Sequence, residues 1–180
     1  MNIKICFDFH DIFVDAKKAW IKAFTFFCNN EEIVNDYNNK MSKKEICKKY
    51  GLDYEAVEEK YREYLTPLNK NIELAKEIKK YYPIDLISLA RDTRLKKDLA
   101  KFSLYETFNS IYSKLDVINR NEFLQKYSND LEMVVYFNHE EPSVKLINKV
   151  IYVPIDTEVK ISKGTIYIKS EGIEIKIDID

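Results

Sequence analysis

The stretch Met1-Asn-Ile-Lys-Ile-Cys-Phe-Asp8-Phe-His10-Asp11-Ile-Phe-Val-Asp15 decides how the rest of the chain is read. Its first residues are an apolar run suited to a short buried strand, which leads straight into three aspartates and a histidine. An amphipathic helical pattern comes next. In open α/β sheets, ligands bind in the crevice beyond the carboxyl ends of the strands, so a buried strand that delivers carboxylates there marks a candidate site. Asp8, His10 and Asp11 are its first members.

Working outward, Ala16, Trp20, Ala23, Phe24 and Phe27 form an apolar stripe opposite Lys17, Lys18 and Lys22, which predicts a packing helix over residues 16–28. Asn29-Asn30 stops it, and residues 31–37 are a short helix or turn. Ser42-Lys-Lys-Glu45 is a capping box, Gly51 is a helix stop, and Asp53 caps a second helix that runs to Leu65. Residues 45–57 resemble a helix-turn-helix, which makes DNA binding an alternative. The second helix carries Glu55, Glu58, Glu59 and Glu63, whereas a reading helix needs donors for phosphates and base edges. A plain helical hairpin is the expectation.

Past Pro67, residues 69–81 form a helix with Ile72, Leu74, Ala75 and Ile78 inside. Pro83 ends it. Ile84-Asp-Leu-Ile-Ser88-Leu-Ala90 is a second apolar strand with a hydroxyl near its end, and Asp92 or Thr93 starts the next helix, to about Phe102. Then come a small helix at 104–108, a short strand at 111–112, an Asn119-capped helix over 120–127 and an apolar strand over 132–137. That strand ends in Asn138-His139-Glu140-Glu141. A short helix is expected over 143–148, then a last core strand at 150–153. Strands alternating with helices imply a parallel sheet with right-handed crossovers. Residues 158–161, 165–169 and 173–179 instead alternate apolar and polar positions around Lys163-Gly164 and Glu171-Gly172. They predict an antiparallel meander covered on one side, either extending the sheet edge or serving as a homo-oligomer contact.

Composition narrows the function classes. A chain of 180 residues holds one core, or a core with an appended subdomain. Its 46% hydrophobic and 33% charged content is that of a folded protein. Lys and Arg number 29 against 30 Asp and Glu, so the general attraction on which nucleic-acid and membrane-surface binders rely is missing. The thirteen tyrosines do not interleave with a basic stripe. Three cysteines, Cys6, Cys28 and Cys47, are odd in number and lack metal-ligand spacing, which suits a reducing compartment. With no leader or membrane-length apolar run visible, the expectation is a cytoplasmic protein without membrane partners.

Polar groups thus gather at three strand ends: Asp8, His10 and Asp11 after the first, Ser88 after the second, and residues 138–141 after the fourth. That order resembles the haloacid dehalogenase (HAD) superfamily of hydrolases, most of them phosphatases. The resemblance implies a three-layer Rossmann-like α/β core over 1–14 and 67–155 and a small helical cap over 15–66, and leaves a C-terminal β extension, 156–180, outside the pattern. In that family the first strand ends in Asp-x-Asp-Gly-Thr, with a nucleophilic, metal-binding first aspartate and a second aspartate as general acid and base. Asp8 takes the nucleophile's place, His10 that of the second aspartate, and Asp11-Ile12 that of Gly-Thr. Ser88 matches the second motif, a hydroxyl that holds the phosphoryl group. The third motif is a lysine expected near Val117 or Ile118; Lys114 and Arg120 are the neighbouring cations. The fourth, Gly-Asp-x-x-x-Asp, has His139 at its first aspartate and Ser143 at its second, with Glu140 and Glu141 close by.

In function, the resemblance implies a metal-dependent phosphatase acting on a small phosphorylated substrate through an aspartyl-phosphate on Asp8, with His10 as acid and base. Ser88, Lys114 and Arg120 would bind phosphate, with Arg91 or Arg94 as further candidates. Asp8, His10, His139 and Glu140 would hold the metal, magnesium by family resemblance. The two imidazoles, the only histidines of the chain, would suit zinc or manganese. A catalytically inactive relative that binds a phosphorylated ligand or a protein partner is the alternative, and a helix-turn-helix DNA-binding protein the third.

Overall fold

The structure, a computed structural model, describes residues 2–178. In chain order its first elements are β1 (Ile3–Phe7), α1 (Ala16–Phe27), α2 (Glu32–Asn38), α3 (Lys43–Lys49), α4 (Tyr54–Tyr64) and α5 (Asn69–Lys79). Next come β2 (Ile84–Ile87), α6 (Asp92–Lys101), β3 (Ser110–Tyr112), α7 (Arg120–Tyr127) and β4 (Met133–Asn138). The chain closes with β5 (Lys145–Ile147), β6 (Val150–Pro154), β7 (Glu158–Ser162), β8 (Thr165–Ser170) and β9 (Ile173–Asp178). Residues up to Phe13 and those from Asn69 onward form one compact unit, and Val14–Leu68 forms a second. No described helix is long and apolar enough to cross a membrane.

The larger unit is built on a six-stranded sheet of order β3-β2-β1-β4-β6-β5. β1 lies between β2 and β4, parallel to both, and this two-sided burial explains its nearly unbroken apolar sequence. Cys6, Tyr136 and Tyr152 share a register row and one sheet face, where Val117 and Leu124 also pack. Phe7, Phe137 and Val153 form the next row and so face the other way, with Phe7 stacked on Phe137 at 4.7 Å. The chain steps outward from β1 through β2 to β3, then returns to the other flank of β1 as β4. The strand order therefore reverses between β1 and β4, and the crevice beyond their carboxyl ends is the topological switch point.

Two expectations are corrected here. Residues 143–148 are not a helix: β5 pairs antiparallel with β6, Ile147 opposite Val150. So short a helix is marginal alone, whereas a strand gains β6 as a partner, and Asn148 takes the left-handed turn conformation (φ 53°) that asparagine tolerates. β5 also takes the sheet edge, so the meander does not extend it. β7, β8 and β9 make their own three-stranded antiparallel sheet. A two-residue turn with both Lys163 and Gly164 at positive φ joins β7 to β8. Ile166, Ile168 and Ile177 are its buried face. Ile179, expected in its last strand, lies outside the described residues.

In the smaller unit Asp15 caps α1 by accepting from the Lys18 amide, and the Ser42/Glu45 capping box starts α3. Gly51 (φ 64°) turns the chain, and Asp53 caps α4. α1 and α4 are joined by Trp20 stacked on Tyr61 at 4.1 Å, both buried. Burying an aromatic of this size contributes roughly 2 kcal/mol. The hairpin's second helix spends Val57 and Tyr61 on packing and leaves Glu55, Glu59 and Glu63 exposed.

Candidate active site

Asp8, 4% exposed, stands at the end of β1. Its amide donates to the Phe137 carbonyl of β4 (2.9 Å), which carries the ladder one residue beyond the strand. The turn then closes on itself: Phe9 N–H donates to Asp8 Oδ1 (2.8 Å), and Phe13 N–H to the Phe9 carbonyl (2.9 Å). Asn71 of α5 donates to the Ile12 carbonyl (2.7 Å). Asp11 sits at φ 62°, the left-handed region that glycine adopts most readily. Aspartate is among the few other residues that reach it at modest cost, so Asp11 suits this turn.

Two basic side chains meet on Asp8. Arg120 Nη2 donates to Asp8 Oδ2 at 3.3 Å, while Nη1 donates to Glu140 Oε2 at 3.1 Å. His139 places Nδ1 3.5 Å from the same Asp8 oxygen and Nε2 3.9 Å from Asp11 Oδ2. Acidic and basic side chains thus alternate, Asp11, His139, Asp8, Arg120, Glu140. Local structure sets both cations. Asn119 caps α7 by accepting from the Glu122 amide (3.1 Å), which makes Arg120 the first helical residue. A cation at a helix N-terminus opposes the helix dipole, so its placement there is sustained by Asp8 and Glu140. Asn138 Oδ1 accepts from the amides of Glu140 (3.0 Å) and Glu141 (2.9 Å), an Asx turn that bends the chain after β4 at His139. The hydrogen bond to Asp8 raises the His139 pKa above its ordinary 6.5, against the lowering effect of burial, with Asp11 and Glu140 adding to the rise. Burial opposes the charge on Arg120, and Asp8 and Glu140 outweigh it.

The remaining candidates separate from this cluster. His10 places Nε2 2.8 Å from Asp98 Oδ2 on α6. Ser88 is buried; its hydroxyl accepts from the Ala90 amide (3.1 Å), and its own amide donates to Tyr112. Lys114 is exposed, and its backbone amide donates to Ala90 (3.0 Å). Arg91 occupies the position before the first turn of α6, and Arg94 lies in that turn. Glu141 pairs with Lys145 at 2.8 Å. Asp98, 0% exposed, is the residue that sequence reasoning missed. Its signal was an acid inside the apolar stripe of α6, between Leu95 and Leu99.

Magnesium takes a shell of oxygens in near-octahedral geometry. Here Arg120 stands between Asp8 and Glu140, and His139 between Asp8 and Asp11. The faces of Asp8 that would hold a divalent ion meet an imidazole and a guanidinium, so these side chains do not fit magnesium. Nor do they fit zinc or manganese shared by both histidines: His10 is engaged by Asp98, and both nitrogens of His139 face carboxylates. Among the described residues, no three His, Cys, Asp or Glu side chains are grouped to hold a metal ion.

Neither a protein-family model nor a curated protein matches this sequence. Solved structures do. A HAD-type protein of Bacillus subtilis bound to magnesium superposes with a TM-score of 0.57 at 15% identity, covering 76% of this chain and 79% of that one. The fold is that of the HAD-type hydrolases. A haloacid dehalogenase-like hydrolase of Streptococcus pneumoniae gives 0.56 at 17% identity over 77% and 75% of the two chains. The L-2-haloacid dehalogenase of Xanthobacter autotrophicus gives 0.51 at 14% over 77% and 70%. Within that fold, this chain places Asp8 after the first strand, with Arg120 and His139 beside it.

Proposed function

We propose that the protein is a HAD-type phosphohydrolase that cleaves a small phosphomonoester through an aspartyl-phosphate on Asp8. The observation that carries this reading is the convergence of Arg120 and His139 on one oxygen of a buried carboxylate at the switch point. An Asp8 oxygen attacks phosphorus as the bridging P–O bond breaks, and the departing alkoxide takes a proton from the His139 imidazolium. Neutral His139 then accepts a proton from the water that attacks the aspartyl-phosphate, releasing phosphate and regenerating Asp8. Arg120 offsets charge on the phosphoryl oxygens. Ser88, whose hydroxyl oxygen already accepts from Ala90, has its hydrogen left to donate to one of them. His139 takes the acid and base role that the sequence assigned to His10, and His10 with Asp98 fixes the turn. Charge neutralisation falls to Arg120 and His139, not to magnesium, zinc or manganese.

Phosphate release from a panel of phosphomonoesters, with EDTA and with each of those metals, tests the reading. Turnover is expected to persist in EDTA and to fall at least about a thousandfold in Asp8→Asn. Activity that survives Asp8→Asn, or that arises only with an added divalent ion, overturns it. Phosphate binding without turnover would restore the inactive, ligand-binding alternative.

A further inference from the structure

Asp85 is an acid in a strand that is otherwise apolar and buried throughout. It is 1% exposed, near the start of β2, and stands opposite Cys6 in register. Like Ile87, two residues on, it faces the side of the sheet that α7 covers. Its partners come from three elements. Oδ1 accepts from the Ser110 amide of β3 (3.1 Å), while Oδ2 accepts from the Tyr127 hydroxyl of α7 and lies 3.7 Å from Lys4 Nζ of β1. Burial first, then Cys6 and Asp85, push the Tyr127 pKa up, so its hydroxyl keeps the proton and remains a donor. A buried carboxylate is costly unless paired, and the proposed reaction makes no use of this one.

The helix that reaches Asp85 also carries Arg120. Arg120 and Tyr127 are seven residues apart, within about 20° of two full turns, so they project from one side of α7 about 10 Å apart along its axis. One end of that side meets Asp8 at the carboxyl end of β1, and the other meets Asp85 near the amino end of β2. Leu124 alone of the helix's eight residues is buried, so α7 depends on polar contacts for its placement. Asn121 with Tyr152 (3.3 Å) and Gln125 with Asn148 (2.8 Å) fasten the flank toward β6. Tyr127 with Asp85 fastens the side that bears Arg120. We infer that Asp85 and Tyr127 are positioning residues that hold Arg120 within reach of Asp8. The inference rests on the phosphohydrolase reading only for its effect on turnover; the placement of Arg120 can be read without substrate.

Tyr127→Phe keeps the ring and removes the hydroxyl. NMR of the Arg120 guanidinium, its signals identified by their loss in Arg120→Met, reads the placement directly. In the wild type the two Nη groups, one held by Asp8 and one by Glu140, should give separate signals. In Tyr127→Phe those signals should merge as the group rotates freely. Wild-type signals that are already merged, or variant signals that stay apart, overturn the inference whatever the turnover. In phosphomonoester hydrolysis, Tyr127→Phe should lower kcat/KM about tenfold in the wild-type background and less than about twofold in Arg120→Met, because the loss acts through Arg120. An equal fall in both backgrounds marks a merely structural bond and overturns the inference too. A wild type without turnover overturns the phosphohydrolase reading and leaves the NMR signals to decide the positioning role. If Tyr127→Phe does not fold, Asp85→Leu/Tyr127→Phe, which leaves no unpaired carboxylate at this place, takes its part in both measurements.

Discussion

The two histidines occupy opposite situations. His10 is two residues from Asp8 in sequence, and its ring is held against Asp98, a fully buried acid on α6. His139 is far away in sequence, yet its ring lies between Asp8 and Asp11 and is a third exposed. The difference comes from backbone geometry. In the first turn the chain reverses through a left-handed Asp11, while after β4 the Asx turn at Asn138 sets the chain's course at His139. Nearness in sequence to Asp8 is thus no guide to contact with it when a turn intervenes; the neighbouring parallel strand supplies the partner. His10 is held against a buried acid, and His139 lies against the two aspartates of the turn, where the proposed mechanism uses it.

That contrast can be broken or sharpened by substitution. The largest effect is expected at the cation both turns depend on: Arg120→Met leaves the Asp8 carboxylate with a lost partner and should cost about 3 kcal/mol in urea unfolding. Coupling Asp8→Asn to it should return part of that loss. His10→Ala removes one partner of a buried acid and should cost about 1–2 kcal/mol, with thermal unfolding as the readout. If His10→Ala proved harmless to stability and His139→Ala severe, the division of labour would be reversed.

The smallest effect is the most diagnostic. The folded-state pKa of His139 lies above its ordinary 6.5, so its stabilising contribution is fully present below pH 6.5 and is lost as pH rises through the folded value. Wild type should therefore be more stable than His139→Gln in mildly acidic buffer, by less than about 1 kcal/mol given solvent screening, and the two should converge in alkaline buffer. A gap that widened with pH would contradict the pairing with Asp8.

Much of the fold could be read from residues. Strand β1, the caps at Ser42, Asp53 and Asn119, and the glycine-marked turns of the meander are local signals, set by side chains a few positions apart. Residues 143–148 could not be read that way, because their strand exists through hydrogen bonds to β6. The site divides similarly. Asp8 and Ser88 announce themselves at strand ends. Arg120 could be named from the sequence only as one of two neighbouring cations; its pairing with Asp8 comes from its position at the start of α7, and the part of Asp98 from its reach to His10. Both are long-range pairings, which periodicity does not encode.

The bond from the Asp8 amide to the Phe137 carbonyl has a further consequence. It ties the first residue of the reactive turn to the central ladder of the sheet, so solvent deuterium should enter that amide only when the whole sheet opens. Amides on the exposed edge strand β5 should exchange far sooner. Between these two clocks, hydrogen exchange would time how firmly Asp8 is anchored without any substrate in hand.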